Sequence, residues 1–351
     1  MWLITGATGH IGNVLARELL ARGEKVRALI PPAESREPLK GLDVEMVEGD
    51  VLDLDAVFES LRGVKGIFHL AGVISIMPGP NALVRRVNVD GTRNILRAAK
   101  ASRIGRLVYT SSIHAIRRTE TGVIDERVPY DADNPYGEYD RSKAEATLEV
   151  LDAARDGLDA VVACPTGVIG PYDFRGSMMG SVIRTAAERK PTLYVDGAYD
   201  FVDVRDVAHG LIAAAEHGQR GESYILSGQR ISVRYLLETV REITGRPFFQ
   251  MKIPFHLAEF AARFTPWYYH ATHSTPRFTP YSLEVLQSNS HISHAKAARE
   301  LGYRPRTLYE SIADAVQWFL KTGNPSPGTT VALNLVNSFH PKPRQHKGDR
   351  T

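Results

Sequence analysis

The chain of 351 residues contains one cysteine, Cys164, and this scarcity excludes an internal disulfide and a cysteine-rich metal site. The neighbours of Cys164 in "VVACPT" are typical of a buried strand, so we expect a packing thiol. Long apolar runs are also missing, because none approaches the roughly 20 residues that cross a bilayer. No basic leader with a cleavage site precedes "MWLITGATG", so no secretory signal is expected. Together these absences predict a cytoplasmic protein without a membrane span.

A basic surface for nucleic acid is missing as well. The chain has 43 Lys and Arg against 40 Asp and Glu, a net charge of +3. The stretch 324–351 accounts for the whole excess, because its charged residues are Lys342, Arg344, Lys347, Asp349 and Arg350. We therefore expect no nucleic-acid partner. The histidines follow no metal-binding spacing such as H-E-x-x-H, so no metal is predicted.

The first half of the chain alternates short apolar strands with helical stretches. The strand segments are "WLIT", "KVRALI", "VEMVEG", "GIFHLAG", "RLVYTSS" and "AVVACPTGVIG". Strands separated by helices predict βαβ units and a parallel sheet covered on both faces. After residue 170 helices dominate, although "DFVDVRDVAHGLIAAAEH" and "GESYILSG" predict a strand–helix–strand return to the first sheet.

We therefore predict an α/β fold, a Rossmann-type doubly wound parallel sheet with a smaller, mostly helical C-terminal substrate lobe. The dinucleotide-binding domain is expected to comprise 1–165 and 200–228, and the substrate lobe 166–199 and 229–323. The stretch 324–351 lacks hydrophobic periodicity and is expected to be a disordered tail.

A glycine-rich segment, "TGATGHIG", stands between the first strand and the first helix. It places Gly6, Gly9 and Gly12 in a G-x-x-G-x-x-G arrangement. Glycine permits a tight turn and a close approach of backbone to a pyrophosphate, and the helix N-terminus offers free N–H groups to the phosphates. An ordinary glycine-rich turn is the alternative, but the position after a strand and before a helix favours dinucleotide binding.

The motifs that follow resemble, in order, those of the extended short-chain dehydrogenases, the NAD-dependent epimerase/dehydratase group. They are "GDVLD", "HLAG", "NVDGTRNIL", "VYTSS", "YDRSK" and "CPTGVIGP". The resemblance runs from residue 1 to about 322. It implies that the cofactor is held by Gly6, Thr8, Gly9, His10, Ile11, Gly12, Arg36, Asp50, Val51, Leu70, Ala71, Gly72, Asn88, Thr110, Tyr139, Lys143, Pro165 and Val168. It also implies a homodimer through the helices that contain "NVDGTRNILRAAK" and "YDRSKAEATLEVL".

The same resemblance implies that Ser112, Tyr139 and Lys143 are catalytic. Tyr139 and Lys143 are four residues apart and would share one face of a helix. A phenol with a pKa near 10 is a poor base at neutral pH, and we expect the nearby ammonium and a nicotinamide cation to lower that pKa. Tyr139 would then exchange a proton with the substrate oxygen, Ser112 would hydrogen-bond that oxygen, and Lys143 would also hold the nicotinamide ribose.

Within the family, the segments after the strands indicate the branch. "SSIHAI" lacks the acids of dehydratases, and "ACPTGVIGPYD" replaces the "RxFNVYGP"-like segment of nucleotide-sugar epimerases. These segments resemble the dihydroflavonol-reductase and 3β-hydroxysteroid-dehydrogenase-like branch. The resemblance implies interconversion of a ketone and a secondary alcohol on a small hydrophobic substrate that is cyclic and steroid- or flavonoid-like. A nucleotide-sugar epimerase with tightly held NAD and a non-catalytic dinucleotide-sensing regulator are the alternatives.

The sequence identifies the substrate-binding residues and the preference for NAD or NADP less clearly than it identifies the catalytic residues. His114, Phe174, Met178, Met179 and Trp267 are candidates for the substrate, although packing and, for His114, a surface loop are the competing interpretations. NAD-preferring enzymes place an acid at the end of the second strand, where this chain has "LIPP". Arg36 and Lys40 suit a 2′-phosphate and Glu34 suits a ribose hydroxyl. The missing acid slightly favours NADP over NAD.

Overall fold

A computed structural model describes residues 1–322 except 189, 246, 248, 266, 268–271 and 273–278. Its centre is a parallel sheet of seven strands in the order β10-β6-β5-β4-β1-β2-β3. These strands are β1 (Trp2–Thr5), β2 (Val26–Ile30), β3 (Val44–Glu48), β4 (Gly66–His69), β5 (Arg106–Thr110), β6 (Ala160–Pro165) and β10 (Ser223–Leu226). The order 3-2-1-4-5-6 is that of the Rossmann fold, so the predicted fold class is confirmed.

Helices cover both faces of this sheet. The helices of the described residues are α1 (His10–Ala21), α2 (Leu54–Ser60), α3 (Ala82–Arg85), α4 (Gly91–Ala101), α5 (Glu138–Arg155), α6 (Met178–Ala187), α7 (Val204–His217), α8 (Val233–Thr244), α9 (Phe255–Ala262), α10 (Pro280–Gln287), α11 (Ala295–Leu301) and α12 (Leu308–Thr322). Of these, α2, α4 and α5 pack on one face of the sheet, and α1, α7 and α11 pack on the other. A π-helical turn, Arg86–Asp90, joins α3 to α4, and the 3-10 turns are Glu37–Leu39 and Ile113–Ala115.

The strand alternation creates two cores. Leu3 and Leu107 point into one core, whereas their neighbours Ile4 and Val108 point into the other, and all four are fully buried. This follows from the two-residue period of a strand, in which successive side chains face opposite sides of the sheet. The inner strands of the sheet are therefore buried on both faces, as expected for a parallel sheet, whereas the edge strand β3 is partly exposed.

Two small sheets complete the fold. One contains β7 (Gly167–Ile169), β9 (Ala198–Asp203) and β11 (Gln229–Ser232), and the other pairs β8 (Thr192–Val195) with β12 (Gln250–Ile253). The prediction that "DFVDV" returns to the first sheet is wrong, because β9 pairs with β7 and β11 instead. The strand after α7 does return, since β10 pairs with β6. The segment "AVVACPTGVIG" likewise divides into β6 and β7, in different sheets.

The last helix shows how local chemistry sets an element boundary. Thr307 and Glu310 form a reciprocal capping box before α12: the Thr307 N–H donates to Glu310 Oε2 at 3.2 Å, and the Glu310 N–H donates to Thr307 Oγ1 at 3.4 Å. Helices α6, α8 and α12 pack against one another to form the centre of the C-terminal lobe. Within the described residues no helix is long and apolar enough to cross a membrane. The stretch 324–351 lies outside the described residues.

Candidate active site

The ends of four neighbouring strands bring most of the candidate cofactor residues to one edge of the sheet. The glycine segment follows β1, Leu70 to Gly72 follow β4, Thr110 ends β5 and Pro165 ends β6. Because β1, β4, β5 and β6 are parallel, their carboxyl ends lie side by side. Asp50 and Val51 follow β3 farther along the same edge, and Val168 lies in β7.

Two glycines of the glycine loop are required by close backbone packing, because neither position has room for a side chain. Gly6 has a φ of +73°, which favours glycine, and a Cβ there would lie 2.8 Å from the Ala71 nitrogen. A Cβ on Gly12 would lie 2.2 Å from the Gly6 carbonyl oxygen. Helix α1 begins at His10, and no side chain among the described residues caps its first N–H groups. Those N–H groups of His10, Ile11 and Gly12 suit a phosphate.

Farther along the edge, backbone and hydroxyl groups line the expected cofactor path. The Asn88 side chain fixes the segment after β4: its Oδ1 accepts from the Val73 N–H at 2.8 Å, and its Nδ2 donates to the Val73 carbonyl at 3.1 Å. The Thr110 hydroxyl is buried and has no hydrogen-bond partner in the part of the chain that the structure describes. A buried polar group of this kind is costly unless a ligand or water pairs with it, so Thr110 also suits a cofactor contact.

Ser112 and Tyr139 form the first half of the candidate catalytic group. Ser112 follows β5 and its Oγ accepts the His114 N–H at 3.2 Å, while Tyr139 lies in the first turn of α5. Burial raises the pKa of Tyr139 to about 12, and hydrogen bonding to Ser112 acts in the opposite direction. In the chain by itself the pKa of Tyr139 is thus raised, and the lowering expected beside a nicotinamide cation stays a prediction.

Lys143 completes the group one helical turn beyond Tyr139. Its Nζ donates to the Thr110 carbonyl at 2.6 Å and to the Tyr109 hydroxyl at 3.3 Å, and it lies 3.7 Å from the position of a Cβ on Gly72. An ammonium has three donors, so one is left for a ligand beside Gly72. Burial lowers the pKa of Lys143 to about 8. The buried ammonium is thus held by oxygen atoms at the edge where the nicotinamide ribose is expected.

One polar network, which we name the neutral network, links Thr5, His69, Thr92, Asn88 and Ser142. His69 Nδ1 lies 2.7 Å from Thr5 Oγ1 and its Nε2 lies 3.0 Å from Thr92 Oγ1. The Thr92 hydroxyl donates to the Asn88 carbonyl, and Asn88 Nδ2 donates to Ser142 Oγ at 2.9 Å. Burial, with a smaller effect of the Lys143 charge, lowers the pKa of His69 to about 3. His69 is therefore a neutral hydrogen-bonding link.

A second network, the charged network, joins Arg118, Asp140, Tyr281, His114 and Tyr199. The Tyr281 hydroxyl donates to Asp140 Oδ1 at 2.7 Å, and Arg118 Nη2 lies 3.1 Å from Asp140 Oδ2. His114 stands between two tyrosines, with Nδ1 3.2 Å from the Tyr281 hydroxyl and Nε2 3.1 Å from the Tyr199 hydroxyl. Both ring nitrogens are thus engaged within the protein. Burial lowers the pKa of His114, and the Asp140 charge opposes this.

The apolar candidates for the substrate do not form one cluster. Phe174 packs edge-on against Trp318 of α12, with 5.3 Å between ring centroids. Met179 packs against the same core as Phe174, whereas Met178 and Trp267 expose 39% and 75% of their surface. Packing therefore accounts for Phe174 and Met179 in the ligand-free chain.

The residues around the second strand are arranged differently from the sequence-based expectation. Arg36 lies on the surface, where its Nη2 contacts Glu48 Oε2 at 2.8 Å. Glu34, in contrast, turns back to the glycine loop and contacts the Thr8 hydroxyl and the Arg175 guanidinium. Arg175 was not a candidate, because nothing in its segment "YDFRG" indicates that it lies against a loop 167 positions earlier.

Comparisons with known proteins agree with this geometry. Residues 2–227 match the NAD dependent epimerase/dehydratase family. "Sterol demethylase protein B" of Methylococcus capsulatus is 36% identical over 329 residues, which cover 92% of this chain and 98% of that protein. "Putative dihydroflavonol 4-reductase" of Synechocystis sp. is 33% identical and covers 92% of this chain and 95% of that protein. The crystal structure of gox2253 superposes with a TM-score of 0.79 at 32% identity, covering 92% of this chain and 98% of that chain.

Proposed function

Because this chain belongs to the NAD-dependent epimerase/dehydratase family, and so to the NAD(P)-dependent oxidoreductases of the extended short-chain type, we propose that it interconverts a ketone and a secondary alcohol on a hydrophobic cyclic substrate. The observation that carries this proposal is the group of Ser112, Tyr139 and Lys143 at one sheet edge, beside the buried Thr110 hydroxyl. The names of two relatives, one a sterol demethylase protein and one a dihydroflavonol reductase, support a ring-bearing substrate.

The protonation of Tyr139 favours an acid role toward a carbonyl. A phenol with a pKa of about 12 keeps its proton at neutral pH and can donate it to an oxygen on which negative charge develops. The nicotinamide, when bound, supplies the hydride for the carbonyl carbon or removes it in the reverse direction. Ser112 would donate a second hydrogen bond to the same oxygen and hold it against Tyr139.

Lys143 serves binding and electrostatics in this proposal. Two of its three N–H groups donate to the Thr110 carbonyl and the Tyr109 hydroxyl, so these protein contacts fix the direction of the third N–H group. Its positive charge stabilises negative charge that forms on the Tyr139 oxygen when the proton leaves. A homodimer with α4 and α5 at its interface, which the family resemblance implies, is also part of this proposal.

The test compares the purified protein with its Tyr139→Phe variant. Absorbance of reduced nicotinamide is followed with NADH and NADPH separately against a panel of cyclic ketones and, in parallel, nucleotide sugars. We expect the wild-type protein to consume reduced cofactor with a ketone, and the variant to lose about a hundredfold or more in kcat because the proton donor is gone. The variant should bind the reduced cofactor with unchanged affinity.

Two other outcomes identify the alternatives. Interconversion of nucleotide sugars without ketone reduction, with nicotinamide retained through purification, would replace the proposal with an epimerase. Cofactor binding that neither consumes a substrate nor responds to Tyr139→Phe would indicate a dinucleotide-sensing regulator.

A further inference from the structure

A five-residue segment from the C-terminal side of β7, Pro171–Arg175, crosses the N-terminus of α1; we name it the strap. The Pro171 carbonyl lies 2.9 Å from His10 Nε2, and the Tyr172 carbonyl accepts from Asn13 Nδ2 at 3.2 Å. The Arg17 guanidinium stacks on the Tyr172 ring at 4.6 Å. The strap therefore contacts the helix whose first N–H groups suit the dinucleotide phosphates.

The backbone of the strap is held in an unfavourable conformation. Tyr172 has a φ of +65°, which is rare for a bulky residue and energetically unfavourable. The next residue, Asp173, is buried, and its Oδ2 accepts hydrogen bonds from the Ser177 N–H at 2.8 Å and the Ser177 hydroxyl at 2.7 Å. These contacts fix the turn and direct Arg175 back toward the glycine loop.

Arg175 meets two residues there. Its Nη2 donates to Thr8 Oγ1 at 2.8 Å and contacts the Glu34 carboxylate, and Thr8 donates to the same carboxylate. The Glu34 side chain is only 12% exposed. Thr8 stands in the loop between Gly6 and Gly9, so this ion pair lies against the glycine loop and directly after the second strand, where the adenosine ribose of a dinucleotide is read.

We propose that Arg175 is a positioning residue for cofactor binding, and that its ion pair with Glu34 makes the protein prefer NAD(H) to NADP(H). A ribose 2′-hydroxyl can donate to Glu34 while Arg175 stays paired, so no charge loses its partner. A 2′-phosphate would take Arg175 and leave the mostly buried Glu34 carboxylate unpaired beside another negative charge, which is unfavourable. The weak preference for NADP that the sequence suggested was based on the missing acid at the end of the second strand. Glu34 places an acid beside the glycine loop, and the Arg36 guanidinium is paired with Glu48 on the surface.

The two members of the pair should respond in opposite directions. Glu34→Gln removes the repulsion and frees Arg175, so we expect NADPH to bind about tenfold tighter or more and NADH to bind more weakly. Arg175→Gln leaves Glu34 unopposed, so both cofactors bind more weakly and NADPH loses more. Arg175→Lys keeps the charge without the forked geometry and should fall between wild type and Arg175→Gln. Arg234→Gln, the matched control, removes an arginine from the exposed ion pair with Glu238 in α8 and should leave both dissociation constants unchanged.

The experiment titrates NADH and NADPH into the full-length protein and its variants and follows nicotinamide fluorescence, with thermal unfolding as a check on folding. The proposal is supported if wild type prefers NADH and the two substitutions shift the preference in opposite directions. It is overturned if wild type prefers NADPH, if both shifts have the same sign, or if Arg234→Gln shifts the preference. Because binding is measured without a substrate, failure to reduce ketones would overturn the proposed function and leave this result intact.

Discussion

Helix α5 carries Tyr139 and Lys143 between two polar networks of different chemistry. On the side of β1 and β4, the neutral network uses hydroxyls, an amide and the uncharged His69. On the other side, the charged network surrounds the fully buried Asp140 carboxylate with Arg118 and the Tyr281 hydroxyl. Both networks connect distant segments to one helix. They differ in the kind of buried group that is left without a partner when one member is removed.

The difference follows from how buried groups are satisfied. Removing a neutral member leaves a buried donor or acceptor without a partner, at a cost of about 1–3 kcal/mol. Removing the carboxylate from a buried ion pair leaves an uncompensated charge, at a cost of about 3–5 kcal/mol. The two histidines show the same contrast: the charge that affects the His69 pKa is the Lys143 ammonium, whereas the Asp140 charge opposes the lowering of the His114 pKa. The charged network should therefore tolerate substitution less well.

The largest expected effect tests the charged network. Asp140→Ala leaves Arg118, whose side chain is 14% exposed, without its buried partner, so we expect the free energy of unfolding in urea to fall by about 3–5 kcal/mol. Glu284→Ala is the matched control, because Glu284 contacts the same guanidinium at 3.1 Å but is half exposed, and it should cost no more than about 1 kcal/mol. Equal costs for the two substitutions would show that burial of Asp140 does not distinguish the networks.

The second prediction concerns acid and the neutral network. The ordinary histidine pKa is about 6.5, whereas the pKa of His69 in the folded protein is about 3. Between these two pH values His69 is protonated in the unfolded chain and neutral in the folded protein, so acid favours unfolding. From pH 6.5 to pH 4 this group alone should remove roughly 3 kcal/mol of stability. His69→Gln should flatten the pH dependence of urea unfolding over this range.

The control for that measurement is His217→Gln, because His217 is largely exposed at the end of α7. This substitution should leave the slope of stability against pH unchanged. If His69→Gln has the same slope as wild type, His69 is not the group that resists the proton, and the neutral network would differ from the charged network in composition alone.

Features whose signal lies within one element could be predicted from the sequence. The strands of the central sheet are short apolar runs, the glycine loop has a fixed spacing, and Tyr139 and Lys143 are one helical turn apart. The pairing partners of strands in the small sheets could not be predicted in this way. Strand β9 (Ala198–Asp203) pairs with β7 and β11, and this pairing depends on how separate segments of the chain pack in three dimensions. The family resemblance is confirmed by the match over residues 2–227.

The two networks and the strap were not predicted, for the same physical reason. Asp140 and Tyr281 are 141 positions apart, and Arg175 and Thr8 are 167 apart. Residue type and local spacing carry no information about such contacts, which exist only after the lobe has packed on the sheet. The burial that raises the Tyr139 pKa is likewise a property of the packed protein, which the spacing of residues in the sequence does not reveal.

The smallest expected effect separates stability from positioning in the neutral network. Ser142→Ala removes the hydroxyl that accepts from Asn88 Nδ2 at 2.9 Å, while Asn88 keeps both contacts with Val73, so we expect a loss of about 1 kcal/mol in unfolding free energy. Ser311→Ala in α12, also a fully buried serine, should cost a similar amount because its hydroxyl donates to the Thr307 carbonyl. Only Ser142→Ala should weaken binding of NADH, by about twofold to fivefold, since Asn88 fixes the backbone beside Gly72 and Lys143. Titration of NADH into both variants checks this. Equal NADH affinities of the two variants would mean that the neutral network stabilises the fold without positioning the residues that bind the cofactor.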